Sequence, residues 1–335
     1  MLEIKGDYLE GGGQIIRTAL ALSSITQKPF IITDIRKGRK EPGLKEQHLQ
    51  TVRAAAKLCN AKVEGDKLGS IRLSFIPRKI TNTDLEINIS TAGSTALVLQ
   101  SLLIAGTQHN LNIHINGGGT WNKNASSILY FQKVLVPIFK KINYCVEIEA
   151  IKQGFYPRGG AEIEVKTRKT NLKPLRLEER GKLNSVKCFS CASESLRNRK
   201  VAERQSDTAR KTLSAYDLAI CNKYLPSFSP GSGILLAAEF ENTTLGYDVV
   251  GEQRKTAEQV GHDAAIGLIK QINSGATVDE FMSDQILPYL ALAKGKSAIR
   301  ISGLTKHAET NIWLIKQFLD VNFGVKDDRI YVNTK

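Results

Sequence analysis

The sequence predicts an α/β (α+β) fold of three βαβαββ repeats forming one large domain, with a small α/β domain inserted in the third. Three observations carry that expectation. The order strand–helix–strand–helix–strand–strand runs from Glu3 to Lys79 and returns from Asp84. A third, partial copy closes the chain, and a stretch of roughly 90 residues with a pattern of its own lies before it. A duplicated supersecondary order over about 80 residues points to modular repetition.

The first unit opens with a strand at Glu3–Lys5 and a helix at Gln14–Thr26, where Ile15, Ala19 and Leu22 fall on one face. A strand at Phe30–Arg36 and a helix at Leu44–Asn60 follow, then strands in "AKVEG" and "SIRLSFIP". In the second unit "DLEINIS" and "LNIHING" read as strands around the helix "TALVLQSLLIAG". "NASSILYFQKVLVPIFKKI" reads as a helix before "YCVEIEAI" and "GGAEIEVKT". The third unit offers the helix "DEFMSDQILPYLALA", strand "SAIRISG", helix "HAETNIWLIKQFLD" and strand "RIYVNT". Its opening strand is expected in "LKPLRLEE". The insert reads as a strand at Ser185–Ser193, a basic helix over Lys200–Tyr224, strands in "GILLAAEFEN" and "LGYDVVG", and a helix at Thr256–Asn273. The expected large domain is therefore residues 1–180 plus 275–335, with 181–274 as the insert.

At 335 residues, 41% hydrophobic and 24% charged, the chain has an ordinary globular composition. No apolar run approaches the roughly 20 residues that span a bilayer, and the first ten residues do not read as a signal peptide. Five cysteines argue against a secreted disulfide framework, so a cytoplasmic location is expected. Cys188 and Cys191 form one C-x-x-C, but no second pair follows, and alternation in "SVKCFSCAS" fits a strand. The net charge of +14 and pI near 9.5 favour a polyanionic partner, with nucleic acid the default.

The stretch "YLEGGGQIIRTALALS" puts Glu10 and three glycines directly before a helix. Helix N-termini attract anions through unpaired N–H groups and the helix dipole, and Arg17 lies one turn in. Glu10 fits such a site if a metal ion stands between carboxylate and phosphate; the alternative is a tight turn with a solvated glutamate. Gly117–Gly119 repeat the strand–glycine–helix device in the second unit. "KGKS" at Lys294–Ser297 follows a helix and lacks the earlier glycine, so it is no phosphate loop. Among the histidines, His109 and His114 read as structural and His262 as solvated. His307 falls at a helix start, where an imidazole stays neutral and could attack phosphorus.

These motifs, with "IRKGRKEPGLKEQHL", "AGSTALVLQSLL" and "GFYPRGGAEIEV", resemble in order the RNA 3′-terminal phosphate cyclase family. The resemblance implies an ATP-dependent ligase of RNA 3′-phosphate ends, producing a 2′,3′-cyclic phosphate through histidine–AMP and RNA–adenylate intermediates. It implies His307 as the adenylated nucleophile and Glu10 as the acidic residue beside Mg²⁺ or Mn²⁺. Arg17, Gln100, Phe281, Asp284 and Gln285 match positions at the ATP site. Arg36, Arg39, Gln47 and His48 match positions that bind RNA or phosphate. Its implied partners are ATP and RNA with a 3′-phosphate end, without a membrane; homo-oligomer formation is left open. Phe281 stands where family members often carry a tyrosine near the adenine. After Gly119 this chain reads Thr120, Trp121, Asn122, Lys123, Asn124, Ala125, Ser126 and Ser127, with Trp121 in place of the family's Asp and Lys123, Ser126 and Ser127 in place of its three Pro residues, so a looser or reshaped wall is expected there. Two rival readings are a non-catalytic cyclase-like factor of ribosomal RNA processing and an enolpyruvyl transferase, which shares the repeat type.

Overall fold

The computed structural model describes residues 1–335. The first unit comprises β1 (Leu2–Lys5), α1 (Gln14–Thr26), β2 (Phe30–Thr33), α2 (Glu46–Cys59), β3 (Lys62–Glu64) and β4 (Leu73–Ile76). Its sheet has the order β1-β2-β4-β3, with β1 parallel to β2 and the other pairs antiparallel. Parallel neighbours need a crossover, and α1 supplies it. The second unit repeats the plan: β5 (Asp84–Ser94), α3 (Thr95–Ala105), β6 (Asn112–Gly119), α4 (Ile128–Tyr130), α5 (Val136–Lys141), β7 (Cys145–Lys152) and β8 (Glu162–Arg168), ordered β5-β6-β8-β7. One π-helical turn, Phe131–Leu135, joins α4 to α5 just before Pro137. A widened turn there accommodates a residue that cannot donate to the helix ladder.

The third sheet begins with β9 (Arg176–Leu177), the two-residue remnant of the strand expected in "LKPLRLEE". The chain then leaves for β10 (Leu183–Ser193), α6 (Val201–Thr212), β11 (Leu218–Leu225), β12 (Ser232–Phe240), β13 (Thr244–Val250) and α7 (Ala257–Asn273). It returns through α8 (Met282–Gln285), α9 (Leu287–Leu292), β14 (Gly295–Arg300), α10 (Lys306–Phe318), β15 (Val321–Lys326) and β16 (Arg329–Thr334). The order β9-β14-β16-β15 matches the other two sheets, strand for strand and direction for direction. The insert therefore occupies the first crossover of the third unit. No helix is long and apolar enough to cross a membrane.

Several sequence expectations are corrected. The basic helix over Lys200–Tyr224 stops at Thr212, and Leu218–Leu225 is instead a strand parallel to β10. The alternating "LAICNKYL" fits a half-buried strand. The strand at Phe30–Arg36 ends at Thr33, because Asp34 and Arg36 take left-handed backbone angles that break the pleat. Gly117–Gly119 do not start a helix; they close β6, and the next helix begins at Ile128. A Cβ on Gly117 would lie 2.1 Å from the Ile89 carbonyl, so its role is close strand packing. Strand β15 is an element the sequence reading did not separate from its surroundings.

One cluster of 67 buried residues runs through all three sheets, so the repeats share a single core. A second of 15 residues, from Val186 to Ile272, lies within the insert. Strands β10 and β12 face both cores: Cys188, Ile234 and Leu236 point into the small one, Cys191 and Leu235 into the large one. The two thiols of the C-x-x-C thus occupy different cores, and burial pushes each up to about 12.

Candidate active site

Three helices from three units build the site. Helix α1 lies between α3 and α10: Ser101 Oγ donates to the Arg17 carbonyl at 3.0 Å, and Thr18 Oγ1 donates to Asn311 Oδ1 at 3.2 Å. Ile15, Ile16, Leu20 and Leu22 bury the opposite side of α1. Gly13 is the N-cap and makes no side-chain cap, which leaves this helix end bare. Its φ of −65° is open to any residue. What glycine supplies is room, since a Cβ would lie 2.2 Å from His48 Nε2 and 3.0 Å from Arg17 Nη1.

His307 sits in the first turn of α10, whose N-cap Thr305 accepts a hydrogen bond from the Ala308 N–H at 3.0 Å. Its Nε2 lies 2.8 Å from Glu10 Oε2, with Arg39 at 3.9 Å from the same oxygen. Gln14 donates to the His307 carbonyl at 3.3 Å. Burial lowers the basicity of His307; Glu10 opposes this, and the Arg17 and Arg39 cations reinforce it. The lowered basicity favours the neutral ring near pH 7, and its Nε2 faces the Glu10 carboxylate.

His48 is 4% exposed and accepts the Lys45 N–H on Nδ1 at 3.1 Å, which puts its ring proton on Nε2, beside Gly13. Burial, then the Arg17, Arg36 and Lys45 charges, lower its pKa to about 3. It can only be a neutral donor. Arg36 uses one nitrogen to brace its loop, donating to the Gly43 carbonyl at 2.7 Å. Gln47 accepts the Ser94 N–H at 3.1 Å, tying α2 to the start of α3.

Between α1, α3, α8 and α10 a narrow cavity of about 30 Å³ is lined by Arg17, Gln100, Asp284, Gln285, Pro288 and Asn311, among others. That is room for a water, not a nucleobase, so side chains must part for a larger ligand. Arg17 crosses it to Gln100 Oε1 at 3.0 Å. Burial lowers Arg17 to about 10 and raises Asp284 to about 7, while each charge partly restores the other. Gln285 donates to the Phe281 carbonyl at 2.9 Å and to Ser126 Oγ at 3.3 Å, but its Oε1 is buried without a partner. Phe281, expected at the adenine, is absent from this lining and packs edge-on to Tyr130, centroids 6.1 Å apart, and against Tyr247 at 5.4 Å.

The wall after Gly119 is held by hydrogen bonds and by packing on the insert. Asn122 donates to the Ala92 carbonyl at 2.7 Å, the Ser127 N–H donates to Asp248 at 2.6 Å, and Trp121 is 3% exposed against Gly233 of the insert.

Residues 8–325 match the model of a family described as RNA 3′-terminal phosphate cyclase. The chain is 42% identical over 337 aligned positions to a Sulfurisphaera tokodaii protein of that name, covering 99% of this chain and 98% of the relative. It is 39% identical to the Methanococcoides burtonii protein of that name, covering 97% of each, and 42% identical to that of Caldivirga maquilingensis, covering 96% and 94%. The chain belongs to the RNA 3′-terminal phosphate cyclase family. That membership sets aside the enolpyruvyl transferase reading.

Within this cyclase-family chain, sequence reasoning passed over Asp279, Tyr130 and Asn311. Asp279 carried a usable signal, an aspartate one turn ahead of a helix: its Oδ1 accepts the Phe281 and Met282 N–H groups at 3.1 and 2.9 Å. Asn311 donates to the Asp284 carbonyl at 3.0 Å, fixing α8 to α10.

Asp284 gives this cyclase-family fold a pH signature. Its folded pKa is raised, so the folded state holds that proton more tightly than the unfolded chain. Stability from this group is complete below about pH 4 and is lost as pH rises to about 7. Denaturant unfolding of Asp284→Asn beside wild type should show wild type losing roughly 4 kcal/mol relative to the variant across that window. Parallel pH profiles would refute the assignment.

Proposed function

We propose that the chain joins the 2′-oxygen and 3′-phosphate of an RNA end into a 2′,3′-cyclic phosphate, at the expense of ATP. The observation that carries this reading is the Glu10–His307 pair, set beside a bare helix end and the Arg17, Arg39 and His48 donors. Neutral His307 supplies the lone pair that attacks the α-phosphorus of ATP. A P–N bond forms, the P–O bond to pyrophosphate breaks, and AMP remains on the ring. Attack through Nε2 requires the ring proton on Nδ1. A 3′-phosphate oxygen of the RNA then takes AMP from the ring. Finally the 2′-hydroxyl attacks the activated phosphorus and expels AMP, aided by a high effective molarity.

No three His, Cys, Asp or Glu side chains are grouped to hold a resident metal. A single carboxylate suits a hydrated Mg²⁺ or Mn²⁺ that arrives with phosphates, and Glu10 would hold it. Such a cation would supply positive charge to the triphosphate and to Glu10. Arg17 and Arg39 grip phosphate oxygens, and His48 Nε2–H adds a neutral donor. The unpartnered Gln285 Oε1 is an acceptor suited to the amino group of a nucleobase.

The test follows an RNA with a labelled 3′-phosphate. With ATP and Mg²⁺ or Mn²⁺ the label should become resistant to phosphatase, and AMP should accumulate in equal amount. Label that stays phosphatase-sensitive would reject the cyclase chemistry and favour a non-catalytic RNA-processing role.

A further inference from the structure

We propose that Tyr156, Arg158, Lys152 and Phe228 form a stacking platform for single-stranded RNA immediately 5′ of the reacting end. This rests on the RNA-end reading above and extends it to a second binding surface. Tyr156 and Phe228, 77% and 58% exposed, are the two most exposed aromatic rings in the chain. They lie on separate loops, one between β7 and β8, the other between β11 and β12. The Arg158 N–H donates to Ser229 Oγ at 3.2 Å, joining the loops. Lys152 Nζ stands 3.9 Å from the centre of the Phe228 ring, and Gly160 leaves room for that ring, where a Cβ would sit 2.1 Å from it. Two exposed rings, with Lys152 over one and the exposed Arg158 two residues along the chain from the other, have the composition of a single-strand site: bases stack on the rings and phosphates meet the charges.

The platform is joined to the reacting end through packed backbone. A Cβ on Gly154 or Gly159 would lie 2.2 or 2.6 Å from the Gly118 carbonyl, and one on Gly159 would lie 2.9 Å from that of Thr91. Beyond Thr91, Gly93 packs against the Gln47 side chain, and Ser94 hydrogen-bonds to Gln47. Gln47 precedes His48, whose Nε2 lies against Gly13. A continuous wall thus runs from the start of α1 to Tyr156. Cations stand at both ends, Arg36 and Arg39 at one, Lys152 and Arg158 at the other; Glu46, bonded to Ser90 Oγ at 3.3 Å, is a carboxylate along the way. Duplex RNA would present stacked pairs and no free base faces, so the occupant is a single strand.

The experiment measures equilibrium binding of 3′-phosphate RNAs of two and about eight nucleotides to wild type, Tyr156→Ala, Tyr156→Phe and Arg158→Gln. Tyr156 is at the surface, so its truncation leaves the fold intact. Tyr156→Ala should bind the longer RNA about 10-fold more weakly and the dinucleotide as wild type does, with Tyr156→Phe restoring affinity. Arg158→Gln should reduce the salt slope for the longer RNA by about 0.7. Equal affinity of wild type and Tyr156→Ala for the longer RNA would overturn the platform, and would be the outcome if these rings served a protein partner. Cyclisation by wild type is read on the same preparation. Its failure alongside length-dependent RNA binding overturns the cyclase chemistry and leaves the platform standing.

Discussion

His307→Ala should take up no label from ATP carrying it on the α-phosphate, and should cyclise RNA on the order of 10³-fold more slowly or worse. The other groups at the site bind and orient; this one alone supplies the lone pair in the proposed chemistry. The wild-type adduct should be acid-labile and alkali-stable, as a phosphorus–nitrogen bond is. The fold should survive, because the side chain is 48% exposed and the helix cap belongs to Thr305. Burial and the two arginines hold the ring below the ordinary histidine range. Wild-type labelling should therefore be level above about pH 6.5 and fall only at lower pH, where the ring protonates. Label retained by the alanine variant would remove His307 from its role. A decline beginning above pH 7 would contradict the neutral-ring argument.

Asp279→Ala should cost about 3 kcal/mol of stability and weaken nucleotide binding at the same time. This carboxylate is fully buried and takes four donors: Tyr130 Oη at 2.6 Å, the Gly246 N–H at 2.9 Å, and the Phe281 and Met282 N–H groups. Truncation leaves all four without an acceptor, and each such group costs roughly 1–3 kcal/mol, partly recovered by relaxation. Gly246 belongs to the insert, Tyr130 to the second unit and Met282 to α8, so one side chain ties three parts together. Helix α8 carries Asp284 and Gln285, which is why affinity for ATP should fall with stability. Chemical denaturation and ATP titration check both halves. Burial raises Asp279 to about 6, so its ionisation costs folding free energy as pH rises from about 4 to 6. The loss caused by Asp279→Ala is then expected to be greatest at acidic pH. Unchanged stability would show the four donors to be satisfied in another way.

Much of the fold was legible because it is written in local periodicity. Ile15, Ala19 and Leu22 announce α1, and "DLEINIS" and "EIEV" alternate as half-buried strands do. What escaped is set over long distances. Two-residue β9 exists only because β14 lies beside it. The stretch before Leu218 carries helix-compatible charge, and only pairing with β10 makes the next segment a strand. At the site, the chemistry-bearing residues could be placed on elements, but their contacts could not. Gly13 reads as a flexible turn residue, whereas its use is the space beside His48. Phe281 could be read as a ring near the site, but its edge contact with Tyr130 is set by the fold.

The two-faced sheet of the insert decides what a shortened version of this protein could be. Joining residue 181 to 274 would look conservative on a topology diagram, since it merely closes a crossover. It would also pull Leu235 and Cys191 out of the main interior and uncover Trp121, Phe155 and Tyr130, which now rest on Gly233, Gly231 and Gly246. The excised remainder would carry a sticky apolar scar where the insert now sits. The insert is a supporting partition, and the three repeats have been shaped to lean on it.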